Sequence, residues 1–401
     1  MVSPALDTLW RISVVSIRTG KRLTWLQNAS DLDINRVVGQ YSTLSFKLPT
    51  ADPKTDILQE LSTGIIAERL NPRDPYESGR FRRKVLFGGI VLDSNIEGTD
   101  SGNPSTAFLC VGPSYKLWHR FARGRTEAED IAGDWRQERG IRIPSPEPRA
   151  EIMCDLINYA GTIDPMLMRA IKTNQGASED FAVERWGGPK FLGQLLDEIT
   201  KTSDGIDWIE QPTYDIIDGR LILADFYAAT VLGSDRTGVR LQYGTGKLNC
   251  TDASYHRKGE TFANSVMHAA AGLDPVTDTA PTITDNGLWE DSVEADIQDD
   301  YMRRQLTKYH IALRGQAPRQ LATFTPGRSD RSGIEQHPVT GCDVEHAPIP
   351  GIDYDVGDSI LCEASWDGRI LTVSTVMRVL GMHIKYDALG RETADIDFAG
   401  D

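Results

Sequence analysis

Between residues 10 and 111, apolar and polar side chains alternate in short runs, the signature of strands with one buried face. Trp10, Ile12 and Val14 alternate with Arg11 and Ser13. A turn at Thr19-Gly20-Lys21 leads back into Leu23 and Trp25, which predicts a hairpin with both tryptophans at core-like positions. Leu44, Phe46 and Leu48 alternate until Pro49, which has no N–H to give a ladder, ends the run. Strands over 64–70 and 84–97 flank the turn-rich link 71–75, and 106–111 closes the group. The period then changes. Ile152, Met153, Leu156 and Ile157 form one face of a helix over 149–160, stopped by Gly161. Phe191, Leu192, Leu195, Leu196 and Ile199 stripe a second helix over 189–202. A strand over 205–210 and a hairpin over 214–226, turning at Asp218-Gly219, restore the two-residue period.

The stretch 239–270 is the seam of the chain. Val239, Leu241 and Tyr243 alternate, Gly244-Thr245-Gly246 turns, and the run ends in a strand over 262–269. Beyond it a helix fits 293–314, with Met302, Leu306, Tyr309 and Leu313 on one face. Asp296, Asp299 and Asp300 lie at its start and Lys308, His310 and Arg314 at its end, as the helix dipole favours. Strands over 321–325, 359–363, 371–386 and 392–398 complete the second half.

The halves echo one another. Gly64 and Gly89 lie 25 positions apart, and Gly357 and Gly381 lie 24 apart; each pair brackets an apolar strand, with Gly79-Arg80 or Gly368-Arg369 between. Gly88, Gly89 and Gly381 read as positions where a barrel strand bends. The expected fold is mainly β with α+β insertions, as two tandem barrel-like domains. Residues 1–111, completed by 205–250, form the first barrel. Residues 112–204 form a helical and mixed insertion. Residues 251–401 form the second barrel, with a helical insertion near 288–318.

Composition narrows the classes. Hydrophobic content of 40% and charged content of 25% over 401 residues are those of a globular chain with more than one core. No apolar run is long enough to span a membrane, and residues 1–17 lack the pattern of a secretory signal, so assembly in a cytoplasm is expected. The five cysteines are scattered without a CxxC pair, which predicts isolated thiols rather than a disulfide framework or zinc site. A net charge of −15 argues against a protein that grips nucleic acid. It suits a surface that DNA must slide past without sticking, and equally an acidic surface that only confers solubility.

Three features resemble the hub (minor tail) proteins at the tail tip of long-tailed bacteriophages, relatives of contractile-injection spike hubs. They are the "YGTGKL" strand at 243–248 leading to "FANSV" at 262–266, the run Tyr354-Asp355-Val356-Gly357-Asp358, and the closing hairpin 378–398. The resemblance implies a homotrimer whose two barrels per chain make a pseudo-six-fold ring, matching a six-fold tail tube to a three-fold tip. It implies as partners a distal tail protein ring, a tape-measure protein, and tail fibre or spike proteins, with only indirect contact to the host envelope. It further implies that DNA passes through without specific binding and that the protein resides in the virion, assembled in the host cytoplasm.

No motif demands catalysis. Gly357-Asp358-Ser359-Ile360 resembles an esterase nucleophile block but leads into a strand, where that block needs a helix and a partnering histidine. Gly244-Thr245-Gly246-Lys247 lacks the spacing of a phosphate loop. The seven histidines show no metal-ligand spacing, and no cofactor or metal is expected. Two basic clusters stand out in the acidic chain: Arg80, Arg82 and Arg83, and Trp118, Arg120, Phe121, Arg123 and Arg125. Arginine beside aromatics suits a protein interface, although stacking on bases uses the same residues. Gly88, Gly89, Gly244, Gly246, Gly357 and Gly381 are the expected structural turns. Two rival functions share this sequence: a tail-borne cell-wall hydrolase, which needs a cleft with paired carboxylates, and a carbohydrate-binding receptor module, which needs aromatics on one flat face.

Overall fold

The computed structural model describes residues 9–75, 81–98, 104–120, 142–163, 167–182, 191–201, 206–217, 219–244, 249–258, 265–269, 273–279, 290–294, 303–304, 306–308, 319–326, 347–366, 371–389 and 391–400. The first part is all strand: β1 (Trp10–Ser16), β2 (Arg22–Leu26), β3 (Ser30–Val37), β4 (Thr43–Pro49), β5 (Thr63–Pro75), β6 (Phe81–Glu97) and β7 (Ser105–Val111). A mixed segment follows a 3-10 turn at Pro113–His119. It holds β8 (Arg142–Pro148), α1 (Arg149–Ile163), β9 (Met168–Ile171), β10 (Ser178–Ala182), α2 (Leu192–Thr200), β11 (Asp207–Ile217) and β12 (Arg220–Ala229). The last part contains β13 (Asp235–Tyr243), β14 (Cys250–Lys258), β15 (Ser265–Ala269), β16 (Val276–Thr279), β17 (Glu290–Glu294), β18 (Arg319–Pro326), β19 (Ser359–Trp366), β20 (Leu371–Tyr386) and β21 (Glu392–Gly400).

Both ends of the chain share one 13-stranded sheet, ordered β14-β18-β21-β20-β3-β4-β7-β6-β5-β1-β2, with β19 pairing β20 and β13 pairing β19. Among the described residues this path is open, where two tandem barrel-like domains were expected. It is nevertheless a duplication. The order β1–β5–β6–β7–β4–β3 recurs as β13–β19–β20–β21–β18–β14, and the halves join where β3 lies antiparallel to β20. One pairing differs: β1 runs antiparallel to β5, whereas β13 runs parallel to β19.

Each half has a long hairpin whose second strand carries a bulge. In β6 it lies between Val91 and Asp93, and in β20 between Val379 and Gly381. Matching these bulges aligns Leu92 with Leu380 and Asp93 with Gly381. The glycine echo, which set Gly89 against Gly381, is therefore out of register. A bulge bends its strand, so each long strand leaves its hairpin partner and enters the next ladder at this point.

Residues 205–250 do not complete the first barrel. β11 and β12 form a sheet with β9, and β13 joins the second half. The expected start of the helix at 293 is instead the end of β17; within 303–308 the described residues are helical, and the rest of that prediction lies outside the described residues.

Three apolar clusters hold these parts. The largest runs from Trp10 and Phe46 through Phe324 to Phe398, one core beneath both halves of the sheet. A second fills the mixed segment between α1, α2, β11 and β12. The third, with Val15, Ile66, Ile90, Leu221 and Leu223, packs β12 against the opposite face of β1, β5 and β6. The close approach explains Gly88: a Cβ there would lie 2.4 Å from the Leu223 carbonyl oxygen.

Candidate functional site: an acidic sheet face and a buried carboxylate knot

Strand alternation sends every second side chain of the continuous sheet away from the core. On β3, Leu32, Ile34 and Arg36 point inward, so Asp31, Asp33 and Asn35 point out. Register carries this face across the sheet. Asp33 lies opposite Lys385 on one side and Ser45 on the other; Ser45 opposes Leu109, and Leu109 opposes Asp93. His383 opposes Asn35 and Asp395, and Thr323 opposes Asp397 and Ser254. Among the side chains described on this face, Asp31, Asp33, Asp93, Glu97, Asp252, Asp395 and Asp397 are set against Lys47 and Lys385, with His256 and His383. The excess is negative.

Side-chain bonds hold this face in place. The Thr323 and Thr325 hydroxyls donate to Asp397 and Asp395, each at 2.8 Å. His383 Nε2 and Asp33 Oδ1 are 2.5 Å apart across the β20–β3 joint. Lys47 Nζ donates to Glu97 at 2.7 Å, and that bond raises the lysine pKa. These exposed pairs order the carboxylates more than they stabilise the fold.

Behind the sheet, the run Tyr354–Asp358 forms a knot joining three parts of the chain. Asp355 accepts hydrogen bonds from Arg36 Nη1 on β3 at 2.6 Å, Lys84 Nζ on β6 at 3.3 Å, Gln211 Nε2 on β11 at 3.1 Å and the Val356 N–H at 2.8 Å. Burial works against its charge, but Arg36, Lys84 and these donors outweigh it and hold the carboxyl below the usual range. Asp358 accepts from the Ser234 and Asp355 N–H groups at 2.6 and 2.8 Å. Gly357 takes φ of +94°, and Ser359 enters β19 opposite Arg378, so the esterase-like run is a turn into a strand. Both carboxylates are thus engaged by partners from within the fold.

A second buried carboxylate lies where the mixed segment meets β4 and β7. Glu210 on β11 accepts from Ser114 Oγ at 2.6 Å and the Ser42 N–H at 3.3 Å. Among the described residues its Oε1 has no hydrogen-bond partner, and Arg36 Nε and Nη2 are likewise buried without one. Burial pushes the Glu210 carboxyl up to about 7, against the pull of Ser114, Ser42 and the Arg36 charge. The sequence marks Asp355 only as part of the run 354–358 and gives no sign of Glu210, because their partners lie as far as 319 positions away.

The predicted interface residues scatter. Arg82 is exposed and 3.7 Å from Asp74, while Arg83 is half-buried and donates to the Leu9 carbonyl. Trp118 turns into the seam, with ring centroids 5.5 Å from Tyr41 and 6.0 Å from Trp208. The Arg120 carbonyl accepts from the Leu192 N–H at 2.7 Å, ahead of α2. Arg80, Phe121, Arg123 and Arg125 lie outside the described residues.

Among the predicted turns, Gly88 and Gly89 are demanded by close backbone approach; a Cβ on Gly89 would lie 2.3 Å from the Val111 carbonyl oxygen. Gly244 takes φ of +108° against Ser365, and Gly246 lies outside the described residues. Gly381 sits at its bulge with ordinary room for a Cβ, the nearest atom being Val37 Cγ2 at 3.5 Å, so crowding does not require glycine there. Trp25 is 47% exposed, with the Arg11 guanidinium 5.6 Å from its ring, and so is no core residue. Cys110, Cys154, Cys250 and Cys362 are buried and form no disulfide among the described residues, and Cys342 lies outside them. Among the described residues no group of histidine, cysteine or carboxylate side chains could hold a metal ion, and no helix is long and apolar enough to cross a membrane.

No family model matches the sequence, and no curated protein matches it. Solved structures do share its architecture. The tail protein from Neisseria meningitidis MC58 superposes with a TM-score of 0.54 at 12% identity, over 98% of this chain and 96% of that one. The 43 kDa tail protein of prophage MuSo2 from Shewanella oneidensis superposes with a TM-score of 0.53 at 12% identity, over 97% of each chain. Over nearly its whole length, this chain has the fold of these tail proteins.

Proposed function

We propose that the chain is a structural hub protein of a bacteriophage tail tip, built into the virion as a homotrimer. The observation that carries this reading is the duplicated strand order within one continuous sheet. A chain with two like units presents like surfaces twice, so three chains closed in a ring present six. Such a ring stacks on a six-fold tube while leaving a three-fold platform below. In this assembly each repeat acts as one barrel-like unit, and the mixed segment packs against the first.

The acidic face turns inward in this reading and lines the channel. A wall rich in Asp33, Asp93, Asp395 and Asp397 repels phosphate and lets DNA pass without binding. The work is mechanical and not catalytic: the hub closes the tail end, then opens as tape measure and genome leave. A distal tail protein ring lies above, the tape-measure protein within, and fibre or spike proteins below; these neighbours make the contact with the host envelope. Assembly takes place in the host cytoplasm.

The test is the mass and symmetry of the purified chain and of tail particles carrying it. The reading expects a trimer whose projection has six lobes. A species that is monomeric both in solution and in the particle would overturn it.

A further inference from the structure

The two repeats are unequally partnered. Beyond its bulge, residues 381–386 of β20 lie between β21 on one side and β3 of the first repeat on the other. Beyond the matching bulge in β6, residues 93–97 pair, among the described residues, with β7 alone. Among the described residues, the edge that corresponds to the β3-bearing edge of β20 carries no strand. The side chains record the difference. Aligned on the bulges, Ile96 takes the place of Ile384, which lies opposite Ile34 of β3 and is 2% exposed, whereas Ile96 is 67% exposed. A large aliphatic side chain at a core-facing position of a strand is left in water where its counterpart is covered.

We propose that residues 93–97 of β6 accept an antiparallel strand from a second copy of this chain, as 381–386 of β20 accept β3 within one copy. The inference rests on the trimer reading in taking the occupant to be another copy. Within the chain, the equivalent edge is filled by the other repeat, and a further repeat can come only from another molecule. A joint of this kind is head-to-tail, the arrangement that closes into rings. Main-chain hydrogen bonds supply its affinity, and the outward row sets which strand fits. That row is Asp93, Asn95 and Glu97, where β20 offers Gly381, His383 and Lys385. The incoming strand therefore carries neutral or basic side chains on that face. It is not β3, which would set Asp33 against Glu97 and is already held by β20. The carboxylates and the bulge keep the open edge from indiscriminate pairing before assembly.

Amide exchange of the full chain, compared between monomer and assembled particle, reads this joint directly. Amides within 92–98 should slow at least about tenfold on assembly, as new ladder bonds predict. Ile96→Lys and Asn95→Glu both change exposed positions, so each should leave the melting temperature of the monomer unchanged while weakening self-association by about tenfold or more. Assembled particles in which 92–98 exchange as fast as in the monomer, or in which both variants assemble like the parent, would overturn the joint and leave the hub reading standing. A chain that never self-associates, alone or in tails, would overturn both.

Discussion

Replacing Glu210 with glutamine isolates one buried charge in an acidic protein. In the folded chain this carboxyl titrates near 7, against an ordinary value of 4.5, because burial penalises its charged form. The folded state therefore binds the proton more tightly than the unfolded one. The stability this contributes is complete below the unfolded value, falls as pH rises between the two values, and is gone above the folded value. A displacement from 4.5 to about 7 corresponds to about 3 kcal/mol. Glutamine keeps an oxygen for Ser114 and the Ser42 N–H and carries no charge at any pH. Denaturant unfolding of parent and variant at pH 5 and pH 8 measures the effect as a difference, so the other carboxylates cancel. The variant should lose stability between those pH values by about 2–3 kcal/mol less than the parent. An identical pH dependence in the two proteins would show that Glu210 is hydrated or paired in the folded state, and that the seam between the mixed segment and the sheet is open to water.

Asp355→Asn strips the partner from Arg36 and Lys84 and should cost about 3–5 kcal/mol by denaturant unfolding. The Asp355 pKa is depressed, so its contribution is present above the usual carboxylate range and lost as pH falls through the folded value; the variant should lack that part of the acid transition. Gly88→Ala pushes a methyl group into the Leu223 carbonyl and should destabilise by about 1–3 kcal/mol, whereas Gly381→Ala should stay within about 1 kcal/mol; equal losses would contradict the packing at β12. Burial pushes the thiols of Cys154 and Cys362 up to about 12, and Cys110 is raised as well, so mass mapping after alkylation should find these three unmodified until the chain unfolds.

Most of the strands were legible because their alternation is local. Leu44, Phe46 and Leu48 are each buried, and the hairpin of β20 and β21 falls where the pattern sets it. The helix α1 buries the stripe that named it, and α2 buries Leu192, Leu195, Leu196 and Ile199, while Phe191 stands half-buried ahead of its first turn. The strand that joins the halves was missed. β3 reads SDLDINRV, and its inward Arg36 looks like a solvent-facing residue until Asp355 is brought to it. The duplication was seen, but in the wrong register, because glycines catch the eye in sequence while bulges at Leu92 and Leu380 leave no composition of their own. Trp25 shows the reverse failure: it has the period of a core residue but stands half-exposed on an edge strand, under the Arg11 guanidinium and outside the apolar core. The acidic face was foreshadowed only as a net charge of −15; its location depends on pairings between strands hundreds of positions apart.

A reconstruction of the assembled particle by electron cryomicroscopy, resolved well enough to trace strands, tests the central claim most directly. It should show three copies around the axis, with both repeats of each chain at equivalent radii and Asp33, Asp395 and Asp397 facing a continuous channel. A particle in which that face lies outward, or in which the repeats occupy unrelated positions, would contradict the account.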